Sequence, residues 1–388
     1  VYSPYDYEIH EDPYPTYDRL REEAPLYRNE ELDFWALSRH ADVAQAFRDH
    51  ERYSSINGVS LDASSWSPNA HRVMSILALD PPRHTRLRAL VSKGFTPRRV
   101  RELHPRILEL TRQHLEPALD TGTFDYVADF AGRLPMDVIS ELMGVPVVDR
   151  AELRRLADLT VHREDGLQDV PQAGMEATLT LVAYYAEMLA LRRRRPTGDL
   201  TSALLSAEID GDRLDDREII AFLFLMVVAG NETTTKLLAN SLYWAWKHGL
   251  GSRVLNEPVD AWVEETLRYD TSSQQLARTV EADLTLYGRT VPAGSRLLLL
   301  IGAANRDPRV FPRPETYDLD RDTSQIISFG AGRHYCLGAN MARLETQIAL
   351  TELTARISAY EIDEDAAVRV HSSNVRGFAT LPLTVTLR

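Results

Sequence analysis

The chain has a single cysteine in 388 residues, Cys336. One thiol makes an internal disulfide impossible, which fits a reducing compartment. It also excludes a zinc site of the CxxC…CxxC kind. Positive charge is in short supply: 44 Lys and Arg against 57 Asp and Glu leave a formal net charge of −13. That balance excludes a general nucleic-acid binder. The densest basic run, Arg192 to Arg195, closes a helical pattern before Pro196 and reads as a solvated helix end, where cations favour the dipole. Long apolar runs are missing too. IIAFLFLMVVAG, 219–230, is the longest; a membrane-spanning helix needs about 20 residues, so this run predicts a buried core helix. No charged-then-apolar leader pattern is visible. The expected location is the cytoplasm, with no membrane association. Repeats, low-complexity tracts and Gly/Ser linkers are absent as well. With 44% hydrophobic and 26% charged residues, the chain is neither disordered nor membranous by composition.

Helical periodicity dominates what is present. Residues 12–25 predict a first helix, 26–38 a small hairpin, 39–50 a second helix, and 53–82 a long loop rich in Ser, Asn and Pro. Loops that long within compact domains tend to be functional. Asp80 before Pro81-Pro82, and Thr96 before Pro97, have the chemistry of helix caps. Segments 97–119, 125–143, 150–161, 173–195 and 216–247 all read as helix. After 275 the pattern changes to short apolar runs split by Gly and Pro, then an irregular stretch at 307–326, a helix at 337–357 and an alternating tail at 368–388. The expected fold class is mainly α with a smaller β-rich part drawn from both ends, in a single large helical domain over 1–388.

The lone thiol sits in FGAGRHYCLG, 329–338. A lone cysteine is usually a small buried hydrophobe. Three glycines and two neighbouring basic residues, Arg333 and His334, are not what an inert thiol needs. A helix begins just after Cys336, and its free N–H groups favour thiolate over thiol. His334 is awkwardly placed to serve as base for a nucleophile, and one cysteine with one histidine is thin for zinc. A haem iron needs only one protein ligand on its proximal side, and a thiolate suffices.

FGAGRHYCLG resembles the haem-ligating signature of the cytochrome P450 monooxygenases, with Phe329, Gly330, Gly332, His334, Cys336 and Gly338 in matching positions. Three more stretches match in order and spacing, so the resemblance covers essentially the whole chain. In EETLR, 264–268, Glu265 and Arg268 share a helix face; by residues alone they are a surface ion pair worth under about 1 kcal/mol. The resemblance instead implies a buried structural trio with Arg321 that positions the haem-binding loop. In AGNETT, 229–234, an acid and threonines interrupt an apolar helix, where threonine can bond back to the i−4 carbonyl; Gly230 leaves room for something to come close. Here the resemblance implies that Glu232 and Thr233 form an acid–alcohol pair relaying protons to dioxygen. In DPPRHTRLR, 80–88, His84 and Arg88 face one way. With Arg278 and His334 they resemble the four donors that hold the two haem propionates.

The resemblance implies a cytochrome P450 fold and haem b with Cys336 thiolate as the axial ligand. It implies insertion of one atom of dioxygen into a largely apolar organic substrate by hydroxylation or epoxidation. Electrons would come from NAD(P)H through a separate ferredoxin reductase and ferredoxin. Expected pocket walls are loop 55–78, Leu225, Met226 and Ala229, strand residues Ser273 and Gln274 on to 276, and the turn at Gly377 and Phe378. No proline follows Glu-x-x-Arg in YDTSSQQLART, 269–279, where many bacterial members carry one. Arg86, Arg98, Arg99, Arg101, Arg333 and Arg343 form an expected basic docking patch. A peroxide-using haem-thiolate enzyme and a non-catalytic haem-binding protein are the rival readings. The first leaves the acid–alcohol pair without a use; the second leaves both that pair and the long loop unexplained.

Overall fold

The computed structural model describes all 388 residues, Val1–Arg388, and 51% of them are helical. At the centre lies a helix of 32 residues, Asp216–Lys247. Its start is fixed by a capping box: the Asp215 side chain accepts from the Glu218 N–H, and the Glu218 side chain accepts from the Asp215 N–H. From Ile219 onward this helix is apolar almost all round, so it must be enclosed. The helices Leu134–Met143, Val147–Val161 and Gln172–Arg194 pack on it, as does Ala339–Thr354. It is long and apolar enough to cross a membrane, yet most of it is buried within the protein.

The β-rich part is built from separated stretches. A five-stranded sheet runs in the order Leu26–Asn29, Phe34–Leu37, Arg296–Leu300, Gln275–Val280, Tyr53–Ser54. Strands Arg296–Leu300 and Phe34–Leu37 are parallel, and the other neighbours are antiparallel. The run of four leucines, 297–300, shows why it sits centrally. Leu297 and Leu299 join one apolar cluster and Leu298 and Leu300 another, so both faces of the sheet are covered. A second sheet orders Ile357–Ile362, Pro382–Leu387 and Thr123–Asp125.

Several local expectations change. The 125–143 helix divides into the strand Thr123–Asp125, a wide turn at Val127–Ala131 and the helix Leu134–Met143, because the tail strand captures its start: the Tyr126 N–H donates to the Leu381 carbonyl. The 53–82 loop contains a short helix, His71–Met74, and a tighter turn, Ser75–Ala78, both laid against the long helix. Thr96 caps its helix through the Arg99 N–H. Asp80 does not cap with its side chain; its carboxylate instead takes the Ser55 N–H at 2.9 Å and the Ser54 hydroxyl. Asp270 is fully buried and holds the parts together. It accepts from Tyr14 near the N-terminus, Trp244 on the long helix and Arg376 in the tail, and these donors and cations pull it down to about 2 against the cost of burial.

Candidate haem-thiolate site

The segment before the cysteine is anchored first. The Asn305 side chain donates to Ser328 Oγ and accepts from the Ile327 N–H, and the Ser328 hydroxyl donates to the Leu267 carbonyl. Phe329 to Gly338 then forms a tight loop in which the Cys336 N–H donates to the Phe329 carbonyl at 3.0 Å. Gly332 has φ +69°, and a Cβ there would lie 2.8 Å from the Phe47 carbonyl oxygen. Only glycine suits both conditions. The Arg343 guanidinium lies 4.7 Å from the Phe329 ring centroid.

Cys336 is accessible although protein surrounds it on most sides. Burial pushes its thiol up, against the Gly338 and Ala339 N–H groups and the Arg88 and Arg343 cations, which pull it down. The expected helix N-terminus at Gly338 and Ala339 is present, but burial outweighs it. A metal cation at the sulfur deprotonates a coordinating thiol outright.

Glu265, Arg268 and Arg321 do meet. Arg268 donates to both oxygens of Glu265, at 2.6 and 2.8 Å, and Arg321 Nε lies 3.4 Å from Oε1. The first two side chains are 1% and 0% exposed, so the surface ion pair suggested by the residues alone is corrected. Arg268 also donates to the carbonyls of Asn305, Pro314 and Thr316, and Arg321 to those of Pro312, Arg313 and Thr316. The trio therefore fixes the irregular segment that leads to the cysteine.

His84, Arg88, Arg278 and His334 converge. The two imidazole centroids are 4.1 Å apart. His84 Nε2 is buried without a partner. Arg278 is 2% exposed, and its guanidinium donates only to its own neighbour, the Ala277 carbonyl. Arg88 donates to the Arg333 and Tyr335 carbonyls of the cysteine loop. Burial and mutual repulsion push His84 down to about 4, His334 to about 2 and Arg278, by burial, to about 10. Asp80, whose charge acts on His84 and Arg278, is already held by Ser54 and Ser55. Four basic groups without a bound carboxylate suit a dianionic group, so the residues fit a haem with its two propionates.

On the long helix, Ala229 is the only exposed residue between Ile219 and Lys236. Leu225, Ala229 and Thr233 follow at four-residue spacing and share a face; Met226 lies beside them, and Leu225 and Met226 are each 8% exposed. The Thr233 hydroxyl donates to the Ala229 carbonyl at 2.8 Å. Glu232 is 3% exposed, accepts from Asn231 at 3.0 Å, and pairs with Lys236 at 3.4 Å. It makes no hydrogen bond to Thr233. A Cβ on Gly230 would meet Ile139 at ordinary contact distance, so packing against that neighbouring helix does not itself require glycine. A residue from elsewhere acts on the acid: Asp158, on the Val147–Val161 helix packed across this one, is pushed above the usual carboxylate range by burial and by the Glu232 carboxylate. Nothing in the sequence near Asp158 pointed to it.

Three expectations need correction. Gln274 is turned away from this face; its amide donates to the Thr271 carbonyl and it receives Tyr17 Oη, in the N-terminal tyrosine cluster. Phe378 is buried against Tyr243, 4.7 Å between centroids, with the Arg369 cation over its ring. Of the docking arginines, Arg86 pairs with Asp212 and Glu218, Arg98 with Glu102 and Arg343 with Glu264, which leaves Arg99, Arg101 and Arg333 outside ion pairs. Ser273 bonds Asn374 at 3.2 Å in a bridge to the Gly377 turn. That turn abuts the long helix so closely that a Cβ on Gly377 would lie 2.5 Å from Lys236 Cβ.

A lone cysteine on a glycine loop, facing basic donors that suit two carboxylates, defines a haem-thiolate protein. Comparison with known proteins agrees. The sequence model of cytochrome P450 matches residues 257–386. The chain is 62% identical over 392 residues to cytochrome P450 123 of Mycobacterium tuberculosis, covering 100% of this chain and 98% of that one. It is 37% identical to a vitamin D(3) 25-hydroxylase of Pseudonocardia autotrophica, over 97% and 94% of the two chains. Its structure superposes on CYP109E1 of Bacillus megaterium, in complex with testosterone, with a TM-score of 0.84 and 31% identity over 96% and 99% of the chains. The chain belongs to the cytochrome P450 family: it is a P450 monooxygenase whose cofactor is haem b, held through a cysteine thiolate.

Proposed function

We propose that the whole chain works as one cytoplasmic domain that hydroxylates or epoxidises a bulky, largely apolar substrate. Bound haem supplies the activation of dioxygen, one atom going to substrate and the other to water. Cys336 holds the iron and donates electron density to it. His84, Arg88, Arg278 and His334 hold the propionates, while Glu265, Arg268 and Arg321 keep the cysteine loop in place. Substrate lies against Leu225, Met226 and Ala229, and Thr233 and Glu232 manage protons beside it. Two relatives, one named for vitamin D(3) hydroxylation and one bound to testosterone, support a rigid apolar substrate class. Electrons come from NAD(P)H through a ferredoxin reductase and a ferredoxin, the latter meeting Arg99, Arg101 and Arg333 around the cysteine face.

The observation that carries this reading is the accessible Cys336 on a loop that holds His334 and is bonded by Arg88, with His84 beside His334 and neither His84 nor Arg278 bonded to a carboxylate. The test is the reduced carbon monoxide spectrum of wild type and Cys336→His, followed by turnover of spectrally detected ligands with a surrogate ferredoxin system. Thiolate ligation gives a strongly red-shifted band that a nitrogen ligand does not. Identical spectra would remove Cys336 as the ligand.

A further inference from the structure

Tyr335 directly precedes Cys336, and its side chain is 41% exposed. Its backbone is fixed on both sides: the N–H donates to the Gly332 carbonyl at 3.1 Å, and the carbonyl accepts from Arg88 Nη2 at 2.8 Å. The ring is held as well. It stands edge-on to Phe329, with centroids 6.4 Å apart, and its hydroxyl accepts from Arg343 Nη1 at 3.4 Å. Arg343 is in turn bonded to both oxygens of Glu264 and laid over the Phe329 ring. A guanidinium donates and does not accept, so the phenol keeps its own hydrogen for water. Tyr335 is the only Tyr or Trp in the loop 329–338. Tyr243, Trp244, Tyr269 and Tyr317 form a separate cluster, with successive centroids 4.9 to 5.2 Å apart and every ring buried or nearly so. Tyr287, the other exposed tyrosine, sits in a surface hairpin and is bonded to Asp42.

We propose that Tyr335 is the exit for oxidising equivalents that find no substrate, a phenol oxidised in place of the cysteine beside it. Oxygen activation with no substrate bond in reach leaves a strong oxidant next to a thiolate, and a thiolate carried to sulfenic or sulfinic acid no longer serves as the same ligand. Tyr335 is one peptide unit from Cys336, about 3.8 Å between Cα atoms, and phenols are among the most readily oxidised side chains. In each step one electron passes from the ring through Cys336 to the oxidised haem site. The Tyr335 O–H bond breaks, and its proton goes to water at the exposed hydroxyl. The phenoxyl radical keeps the bond from Arg343. It regains one electron and one proton from a soluble reductant of the thiol or ascorbate class, so two passages consume the two equivalents of a peroxide-level oxidant. The proposal rests on Cys336 as the haem ligand, which the carbon monoxide spectrum tests by itself.

The experiment treats substrate-free holoenzyme with hydrogen peroxide and compares wild type, Tyr335→Phe, Tyr335→Trp and Tyr269→Phe. Rapid-freeze electron paramagnetic resonance reads the radical, peptide mass spectrometry reads oxygen added to Cys336, and haem absorbance reads bleaching. Wild type should give a tyrosyl radical. Tyr335→Phe should lose it, Tyr335→Trp should replace it with a tryptophanyl radical, and Tyr269→Phe should keep it. Bleaching and oxidation of Cys336 should rise several-fold in Tyr335→Phe and return toward wild type in Tyr335→Trp. Phe keeps the ring against Phe329, so a purely structural role would leave bleaching and Cys336 oxidation unchanged. A tyrosyl radical that survives Tyr335→Phe, or that is lost in Tyr269→Phe, puts the exit in the buried cluster and overturns the proposal. No radical in wild type overturns it, as does equal bleaching and Cys336 oxidation in wild type and Tyr335→Phe. An effect of Tyr335→Phe confined to the first electron transfer from ferredoxin also overturns it, because the ring is then a docking contact. A carbonyl spectrum without the thiolate band would instead remove Cys336 as the ligand, a failure separate from the identity of the radical.

Discussion

Replacing Glu265 by Gln tests whether the trio behind the cysteine loop acts as a buried electrostatic unit. Glu265 accepts two bonds from Arg268, the Asp318 N–H at 2.8 Å and a longer contact from Arg321. Gln keeps the shape but removes the charge, and its amide hydrogens meet guanidinium hydrogens. Two arginines, 0% and 6% exposed, then lack a counter-charge. Breaking a buried ion pair from one side costs about 3–5 kcal/mol, a large share of the roughly 5–15 kcal/mol that holds a domain folded. The carbonyls that Arg268 and Arg321 also contact moderate this, so the lower end is expected. The neighbouring residue supplies the control. Glu264 pairs with Arg343 at 2.6 Å, but both side chains are 25% exposed, so Glu264→Gln should cost under about 1 kcal/mol. The assay is denaturant unfolding of the holoproteins, followed by haem absorbance and circular dichroism together. Equal midpoints for the two variants would refute the claim that burial separates these adjacent glutamates.

Thr233→Ala should lower product per NAD(P)H while NAD(P)H consumption persists and hydrogen peroxide accumulates; unchanged coupling would mean that another group supplies the proton. His84 and His10 have folded values of about 4 against an ordinary 6.5, so the unfolded chain binds protons that the folded chain refuses. Their contribution to stability should be complete above pH 6.5 and should fall as pH drops toward 4 in the haem-free protein, which a denaturant series across that range would check. Arg101→Glu with Arg333→Glu should slow the first electron transfer at low salt, with the gap narrowing as salt rises, and equal loss in peroxide-supported turnover would point to damaged folding instead.

The parts of the site that are legible in sequence are those whose residues lie close together in the chain. FGAGRHYCLG declares itself because one loop carries the ligand, the close approach at Gly332 and the helix start. The Glu265–Arg268 spacing shows a shared helix face but not that the irregular 307–326 segment covers it, so the residues alone suggest a surface pair. Asp158 is invisible for the same reason: its meaning comes from a helix packed across the long one. Gln274 lies just before the strand Gln275–Val280 and Phe378 at the start of a short strand, both buried, where alternation does not decide which way a side chain turns. The start of the 125–143 segment has helical periodicity, yet pairing with the tail strand overrides it. The docking arginines fail differently, since three of the six are claimed by acids distant or adjacent in sequence that composition does not assign.

The basic cluster and the buried acid Glu232 are unequal in what they ask of a ligand. Glu232 is satisfied by Asn231 and Lys236, so that side of the site is stable as the chain alone makes it. His84, Arg278 and His334 are crowded into one place with the half-buried Arg88; burial lowers all four values, and for the two histidines repulsion by neighbouring cations adds to that cost. Two propionates would remove the repulsion and raise the histidine values toward ordinary. A group that binds only the folded chain stabilises it by mass action. Haem uptake should therefore do two things at once: raise the unfolding midpoint at neutral pH, and flatten the acid loss of stability that His84 gives the haem-free chain between pH 6.5 and 4. The substitution His84→Gln, whose amide donates but does not titrate, should flatten the haem-free profile without haem. If the acid slope of the haem-free protein is the same in His84→Gln as in wild type, the cluster is not where that free energy resides.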